Sequence, residues 1–287
     1  MTPAQLIASC AAALDQAQVC FGQGTLQAAD EAAWLVLNKL GIPLDVDTDT
    51  LTDEVSPESE QAVNELLNQR IHSRQPLAYL TQEAWLQGVS FHVDERCLIP
   101  RSLIAEVLAE GSIDAWLNPQ ASTALDLCTG GGSLAVLLAL VYPQLEVHAS
   151  DISSDALAVA AVNIERHGLQ DRIHLSLSDG FHTTQGEMDL IVCNPPYVNT
   201  QSMALLPPEF LAEPRLALAG GTDGMDFIRQ LLLKAPQYMK EDGILVLEIG
   251  HEYEHFITAF PQLEVIGLST SAGDSQVLLV SKAALLA

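Results

Sequence analysis

Basic residues are scarce in this 287-residue chain, where 12 Lys+Arg stand against 37 Asp+Glu for a formal net charge of −25. Such a balance opposes close approach to nucleic acid phosphates unless the few cations cluster. They do not: Lys39, Arg70, Arg74, Arg101, Arg166, Arg215 and Lys240 are scattered, so no nucleic acid groove is evident. The same acidic surface would attract a basic protein. Cysteine is sparse too. Cys10, Cys20, Cys97, Cys128 and Cys193 form no CxxC or Cys/His pattern, which excludes a zinc framework and reads as reduced thiols of a cytosolic protein. Long apolar runs are missing. The longest, Leu134 to Tyr142, is far too short to span a bilayer. The amino terminus lacks a basic n-region and carries Asp15 inside its apolar stretch, unlike a signal peptide. These absences lead us to expect a soluble, cytoplasmic protein with no membrane partner and no metal site.

What is present suffices for a large core, with 48% hydrophobic and 17% charged residues. The first 82 residues read as a small helical domain. In "DEAAWLVLNKLGIP" Ala33, Val36, Leu37 and Leu40 recur at the spacing of one buried helix face, and Gly41 and Pro43 supply the stop. A second helix opens with Ser56 as N-cap and Pro57 at its first position. Val63, Leu66, Leu67 and Ile71 form its inner stripe. Residues 83–100 read as a hairpin connector, and a short helix closed by Gly111 opens the third region, 101–287. There strands at 123–128, 145–150, 172–177, 188–193 and 243–249 alternate with helices at 133–142, 154–167, 224–239 and 251–260. That alternation predicts an α/β fold with a doubly wound parallel sheet. "LEVIGLST" and "QVLLVSK", joined by "SAGD", add an antiparallel edge hairpin.

Three motifs carry chemistry. In "TALDLCTGGGSLAVLLAL" a strand ends near Asp126, and Thr129, Gly130, Gly131 and Gly132 lead into a helix, where backbone can pass close to a ligand. The next strand ends in Asp151, placed to accept ribose hydroxyls. The glycine spacing departs from the dinucleotide fingerprint and no phosphate-binding lysine is present. Asp126 would repel a pyrophosphate but favour a cationic centre, which points to S-adenosylmethionine. Asp179, ending the third strand, falls where adenine should lie.

The third motif is "NPPY". Its prolines forbid continuation of strand or helix, so Asn194 is held rigidly at the carboxyl edge of the sheet. The Asn194 side-chain carbonyl and the Pro195 carbonyl can both accept from a planar NH₂ group, with Tyr197 as an aromatic face beside it and Pro196 as the stiffener.

At these residues the chain resembles the class I S-adenosylmethionine-dependent methyltransferases, and more narrowly the protein N5-glutamine methyltransferases. The resemblance runs over nearly the whole chain, through "DLCTGGG", "NPPYV" and "LPPEFLAEPRLALAGGTDGMDFIRQLL". It implies a seven-stranded, mostly parallel Rossmann-like sheet. It also implies that Asp126, Thr129, Gly130, Gly132, Asp151, Asp179 and Asn194 bind cofactor, and that Asn194, Pro195, Pro196 and Tyr197 hold the substrate amide. NPPY by itself is shared with adenine-N6 and guanine-N2 nucleic acid methyltransferases. "IPRSLIAE", "FGQGT", "LTQEAWLQGVSFHVDER" and "TSAGD" resemble the branch acting on a glutamine of large-subunit ribosomal protein three. The release-factor branch, with PRPxTE at the interdomain helix, is the alternative. Three positions depart from the family: Gly131 replaces a serine, Leu103 stands where this branch has proline, and Ser150 stands where valine is common.

Overall fold

The chain alternates helices and strands around one large sheet in a computed structural model that describes residues Met1–Ala287. The amino-terminal part is helical. It comprises α1 (Pro3–Gln16), α2 (Ala28–Leu40), α3 (Pro57–Ser73) and the short α4 (Leu77–Thr81). Ser56 caps α3 through the Ser59 N–H with Pro57 at the first position, and Gly41 closes α2 in the left-handed conformation. The buried face of α2 is broader than the predicted stripe. Ala28, Glu31, Ala32 and Leu35 are buried with Val36 and Leu37, whereas Ala33 and Leu40 are half-buried. The reason is that α2 has neighbours on two sides, so an amphipathic reading of one face understates it.

A hairpin follows, β1 (Glu83–Leu86) paired antiparallel with β2 (Val89–His92). After α5 (Ile104–Ala109) the alternating region begins with β3 (Thr123–Leu127), α6 (Ser133–Val141), β4 (Glu146–Asp151), α7 (Ser154–Arg166), β5 (Ile173–Leu177) and β6 (Met188–Cys193). Two one-turn helices, α8 (Thr200–Met203) and α9 (Pro208–Leu211), interrupt the long loop after β6. Then come α10 (Asp226–Lys234), β7 (Met239–Glu248), α11 (Tyr253–Ala259), β8 (Ile266–Thr270), β9 (Gly273–Ser281) and α12 (Lys282–Leu286). The helix predicted to 239 stops at Lys234. Pro236 lacks the N–H that an α-helix needs, and a 3₁₀ turn over Ala235–Tyr238 takes over. That releases Met239 to start β7 four residues before the predicted strand, across a bulge opposite Met188 and Leu190.

The seven strands lie in the order β5-β4-β3-β6-β7-β9-β8. The first five run parallel, and β9 pairs antiparallel with both β7 and β8, which is the predicted edge hairpin. Side chains alternate between faces. Ala124, Leu190, Val192, Ile244, Val246, Val277 and Leu279 join a core of 50 buried residues that also contains Leu6, Leu35, Val63 and Phe91. Leu125, Leu127, Ile191, Cys193, Leu245 and Leu247 face a second core of 18, covered by α10 and α11 through Ile228, Leu231 and Phe256. The helical part therefore packs into the same core as one face of the sheet. No helix is long and apolar enough to cross a membrane.

Two charged side chains sit deep in this packing. Arg70 on α3 is wholly buried. Its Nε donates to Glu31 at 2.8 Å and its Nη2 to the Cys20 carbonyl at 2.9 Å, while Nη1 lies 3.6 Å from Glu209. Burial pushes the Glu31 pKa up, against the pull of Arg70. Asp126 on β3 is equally enclosed. Oδ2 accepts from the Thr129 hydroxyl at 2.6 Å and Oδ1 has no partner. Its burial, partly offset by that hydroxyl, raises the pKa from 3.8 to about 7.

Removing Arg70 would leave buried Glu31 without its cation, whereas Glu209 keeps Arg74 and the Cys20 N–H. Arg70→Ala should cost roughly 3–5 kcal/mol in urea denaturation, and a loss below about 1 kcal/mol would refute the view of Arg70 as a required counter-charge. For Asp126 the sign follows from linkage. A carboxyl whose pKa is higher folded than unfolded contributes stability below the unfolded value, and that contribution fades as pH rises through the folded one. Asp126→Asn cannot ionise. Between about pH 5 and pH 8 the parent should therefore lose roughly 2–3 kcal/mol relative to the variant, and parallel pH profiles would contradict the raised pKa.

Candidate active site

The site is assembled at the carboxyl edge of the sheet, where β3, β4 and β6 end side by side. In the parallel register Leu127 pairs with both Ser150 and Cys193, so the glycine loop, Asp151 and Asn194 emerge next to one another. The first loop turns sharply at Cys128, which has φ 64°, and the Thr129 N–H donates to the Ser150 carbonyl. Asp151 is held by backbone alone: Oδ2 accepts from the Gly130 N–H at 2.8 Å and Oδ1 from the Ser153 N–H at 2.9 Å. Gly132 opens α6 and packs against Ala160 of α7. At Gly131, where the family resemblance has a serine, a Cβ would stand 3.1 Å from the Cys97 sulfur, a tight contact that a side chain would have to relieve by a shift of the thiol.

Two pockets meet at this edge. One is lined by Gly130, Ser150, Asp151, Asp179, Asn194 and Pro196, with Phe227 and Leu216 among its apolar walls. Its donors and acceptors suit a nucleoside. Carboxylates are present at Asp151 and Asp179, while the one arginine on the rim, Arg96, is already bidentate with Asp94. No free cation remains for a phosphate. The Ser150 hydroxyl is buried at the pocket wall without a partner, a polar atom that a bound molecule could satisfy. The residues thus fit S-adenosylmethionine, a sulfonium nucleoside that carries no phosphate.

The second pocket is lined by Asn194, Pro195, Tyr197, Arg101, Phe210 and Glu248, among others. Asn194 is common to both pockets. The Tyr197 hydroxyl donates to Glu248 at 3.2 Å, and burial followed by the Glu248 charge pushes its pKa up. The same hydroxyl end of the ring rests on Gly250. A Cβ there would come within 2.5 Å of Tyr197 Cε2, so this position must remain glycine for the ring to lie where it does. Glu248 is itself buried. It accepts from the Ser102 hydroxyl at 2.6 Å and the Leu103 N–H at 2.9 Å, tying the start of α5 to the NPPY segment.

The sequence-predicted residues divide by position. Gly130, Asp151, Asp179, Asn194 and Pro196 line the first pocket, and Asn194, Pro195 and Tyr197 line the second. Asp126 and Thr129 do not reach the nucleoside pocket. Their side chains bond to each other, and Thr129 lines an adjoining pocket with Gly130 and Asn194, so Asp126 braces the glycine loop through Thr129. Glu248 and Asn163 are additions. Glu248 ends the apolar run "ILVLE" as Asp151 ends "VHAS", a signal present in the sequence. Asn163 is buried on α7, donates to the Gly131 and His92 carbonyls and accepts from the His92 N–H, joining hairpin, helix and glycine loop.

Comparison with known proteins agrees with this geometry. Residues 113–241 match the family model described as Methyltransferase small domain. The ribosomal protein uL3 glutamine methyltransferase of Bordetella pertussis is 49% identical over 272 residues, covering 94% of this chain and 91% of the relative. Its counterpart in Burkholderia pseudomallei is 42% identical over 288 residues, covering 97% and 94%. That of Neisseria meningitidis is 43% identical over 274 residues, covering 95% and 90%. Among solved structures, the hMettl16 catalytic domain in complex with MAT2A 3'UTR hairpin 6 superposes with a TM-score of 0.54 at 13% identity, over 79% of this chain and 81% of that one. That likeness speaks for the class I methyltransferase fold alone. Identity of this extent, over more than nine-tenths of the chain, means that the chain belongs to the family of glutamine methyltransferases that the three bacterial relatives represent.

Proposed function

We propose that this protein transfers a methyl group from S-adenosylmethionine to the side-chain amide nitrogen of a glutamine in large-subunit ribosomal protein uL3. The observation that carries the reading is the position of Asn194 as the shared wall of a nucleoside-sized pocket and a second cleft. S-adenosylmethionine, when bound, supplies an electrophilic methyl group. Asp151 accepts the ribose hydroxyls, its carboxylate already oriented by two backbone N–H groups. Asp179, at the far end of the pocket, serves the adenine amine. The Asn194 and Pro195 carbonyls accept the two N–H groups of the substrate amide and aim its nitrogen at the first pocket. Tyr197, held by Glu248 and Gly250, offers its face to the planar amide. The amide nitrogen that takes the methyl group from the sulfonium becomes a cation, and this N-methylated amide cation is acidic enough to release its proton to water, so no side-chain base is required.

The branch rests on the shared substrate name of the relatives and on charge. A ribosomal protein is basic, and a surface of net charge −25 draws it in over long range. A release factor and a nucleic acid amino group are the competing substrates, and the scattered cations disfavour the latter. Unpaired cysteines at all five positions fit the reducing cytoplasm, where such a substrate is met.

Intact-mass analysis of uL3 and of a release factor, each incubated with enzyme and cofactor, tests the reading. One added methyl on a glutamine of uL3 alone is expected; a gain on the release factor alone would discard the branch, and a gain on neither would discard the glutamine reading. Asn194→Ala should lower turnover by about 10³-fold or more while weakening cofactor affinity less than Asp151→Ala does. The opposite order would reverse the two roles. Raising salt from about 50 to about 300 mM should slow association with uL3 about tenfold, and a salt-independent rate would remove electrostatic steering.

A further inference from the structure

The "FGQGT" segment, Phe21–Thr25, lies in the helical part and contributes no residue to either pocket lining described above, yet it meets the loop that walls both. That loop, after Asn194–Tyr197, carries Phe210 into the second cleft and Pro214, Leu216 and Ala217 into the first. Two buried glutamates flank Phe210. Glu209 accepts from the Cys20 N–H and from Arg74, each at 3.1 Å; these donors and Arg70 hold its carboxyl below the usual range although burial pushes the other way. Glu213 accepts from Gln23 Nε2 at 3.3 Å, from the Ile99 N–H at 3.2 Å and from Arg101 at 2.8 Å.

Phe210 itself is gripped from two sides. The Arg101 guanidinium sits over its ring, 5.5 Å from the centroid. Against the ring edge, at Cζ and Cε2, lies Gly22, in a tight turn closed by its N–H on the Thr25 carbonyl, with φ 123°. A Cβ at Gly22 would stand 3.0 Å from Phe210 Cζ, inside ordinary contact distance. The absence of a side chain at Gly22 thus allows both the left-handed turn and the close approach of the Phe210 ring.

We propose that Gly22 and Gln23 are positioning residues of the substrate cleft: acting across the helical part's contact with the loop, they fix Phe210 beside Asn194, and Phe210 forms a specificity-determining wall for the segment that carries the glutamine. On this assignment the helical part is a component of the active site. The inference rests on the substrate reading above only for the choice of assay protein.

Gly22→Ala, Gln23→Leu and the double variant Gly22→Ala/Phe210→Leu test it, with methylation of uL3, cofactor affinity by calorimetry and backbone hydrogen exchange over residues 208–218 as readouts. The expected result for Gly22→Ala is a rise in KM for uL3 of about tenfold, with cofactor affinity within about twofold of the parent. Trimming the ring in the double variant should restore most of the loss, and Gln23→Leu should speed exchange in 208–218. A Gly22→Ala enzyme with parental KM, or a double variant no better than the single one, would overturn the proposal. If Gly22→Ala does not fold, Phe210→Ala in the unaltered turn decides: a raised KM is expected, and an unchanged one overturns the idea. The parental enzyme is assayed alongside. Its failure to methylate uL3 would sink the substrate reading, while the exchange rates in the Gln23→Leu protein would still decide the positioning role.

Discussion

Everything at the carboxyl edge depends on the lateral pairing of β3 with β4 and β6. Parallel hydrogen bonding places Leu127 level with Ser150 on one side and Cys193 on the other, and the three strands then release their chains at one height. A slip of one residue in β6 would turn Asn194 to the opposite face of the sheet. Both faces of β6 are apolar, so that slip is resisted by packing: Leu190 and Val192 fill one core and Ile191 and Cys193 the other, and exchanging them would change the shape and volume buried on each side. The precision of the site is thus secured by side-chain packing, and the polar residues at the strand ends inherit it.

Around this frame the chain buries an unusual set of carboxylates for their orienting power. Glu209, Glu213 and Glu248 each receive donors from segments far apart in sequence. Hydrogen bonds of this charged kind lock geometry strongly but return little net stability once desolvation is counted. Their common effect is to hold the loop after β6, the start of α5 and the Cys20–Thr25 turn in one arrangement about Asn194.

Much of the fold and the outline of the site could be read from the chain because they rest on local patterns. The strand–glycine–helix run, the acid closing β4 and the paired prolines after β6 each announce their geometry within a few residues. The α2 face was read too narrowly because periodicity reports one buried side and α2 has two. The surroundings of Asp126 are hidden for a similar reason: sequence shows an acid before a glycine loop but not that its carboxyl is buried and bonded to Thr129. The Glu31–Arg70–Glu209 group leaves no local trace at all. Its members stand 39 and 139 positions apart along the chain, and only folding makes them neighbours.

The core shared by the helical part and the sheet has a mechanical meaning. Leu6, Leu35 and Val63 share one buried cluster with Val147 and Val246, and the Cys20–Thr25 turn is bonded to the loop after β6 through Glu209 and Glu213. A swing of the helical part against the sheet would have to break those hydrogen bonds, so the placement of the helical part and the shape of the cleft are mechanically linked.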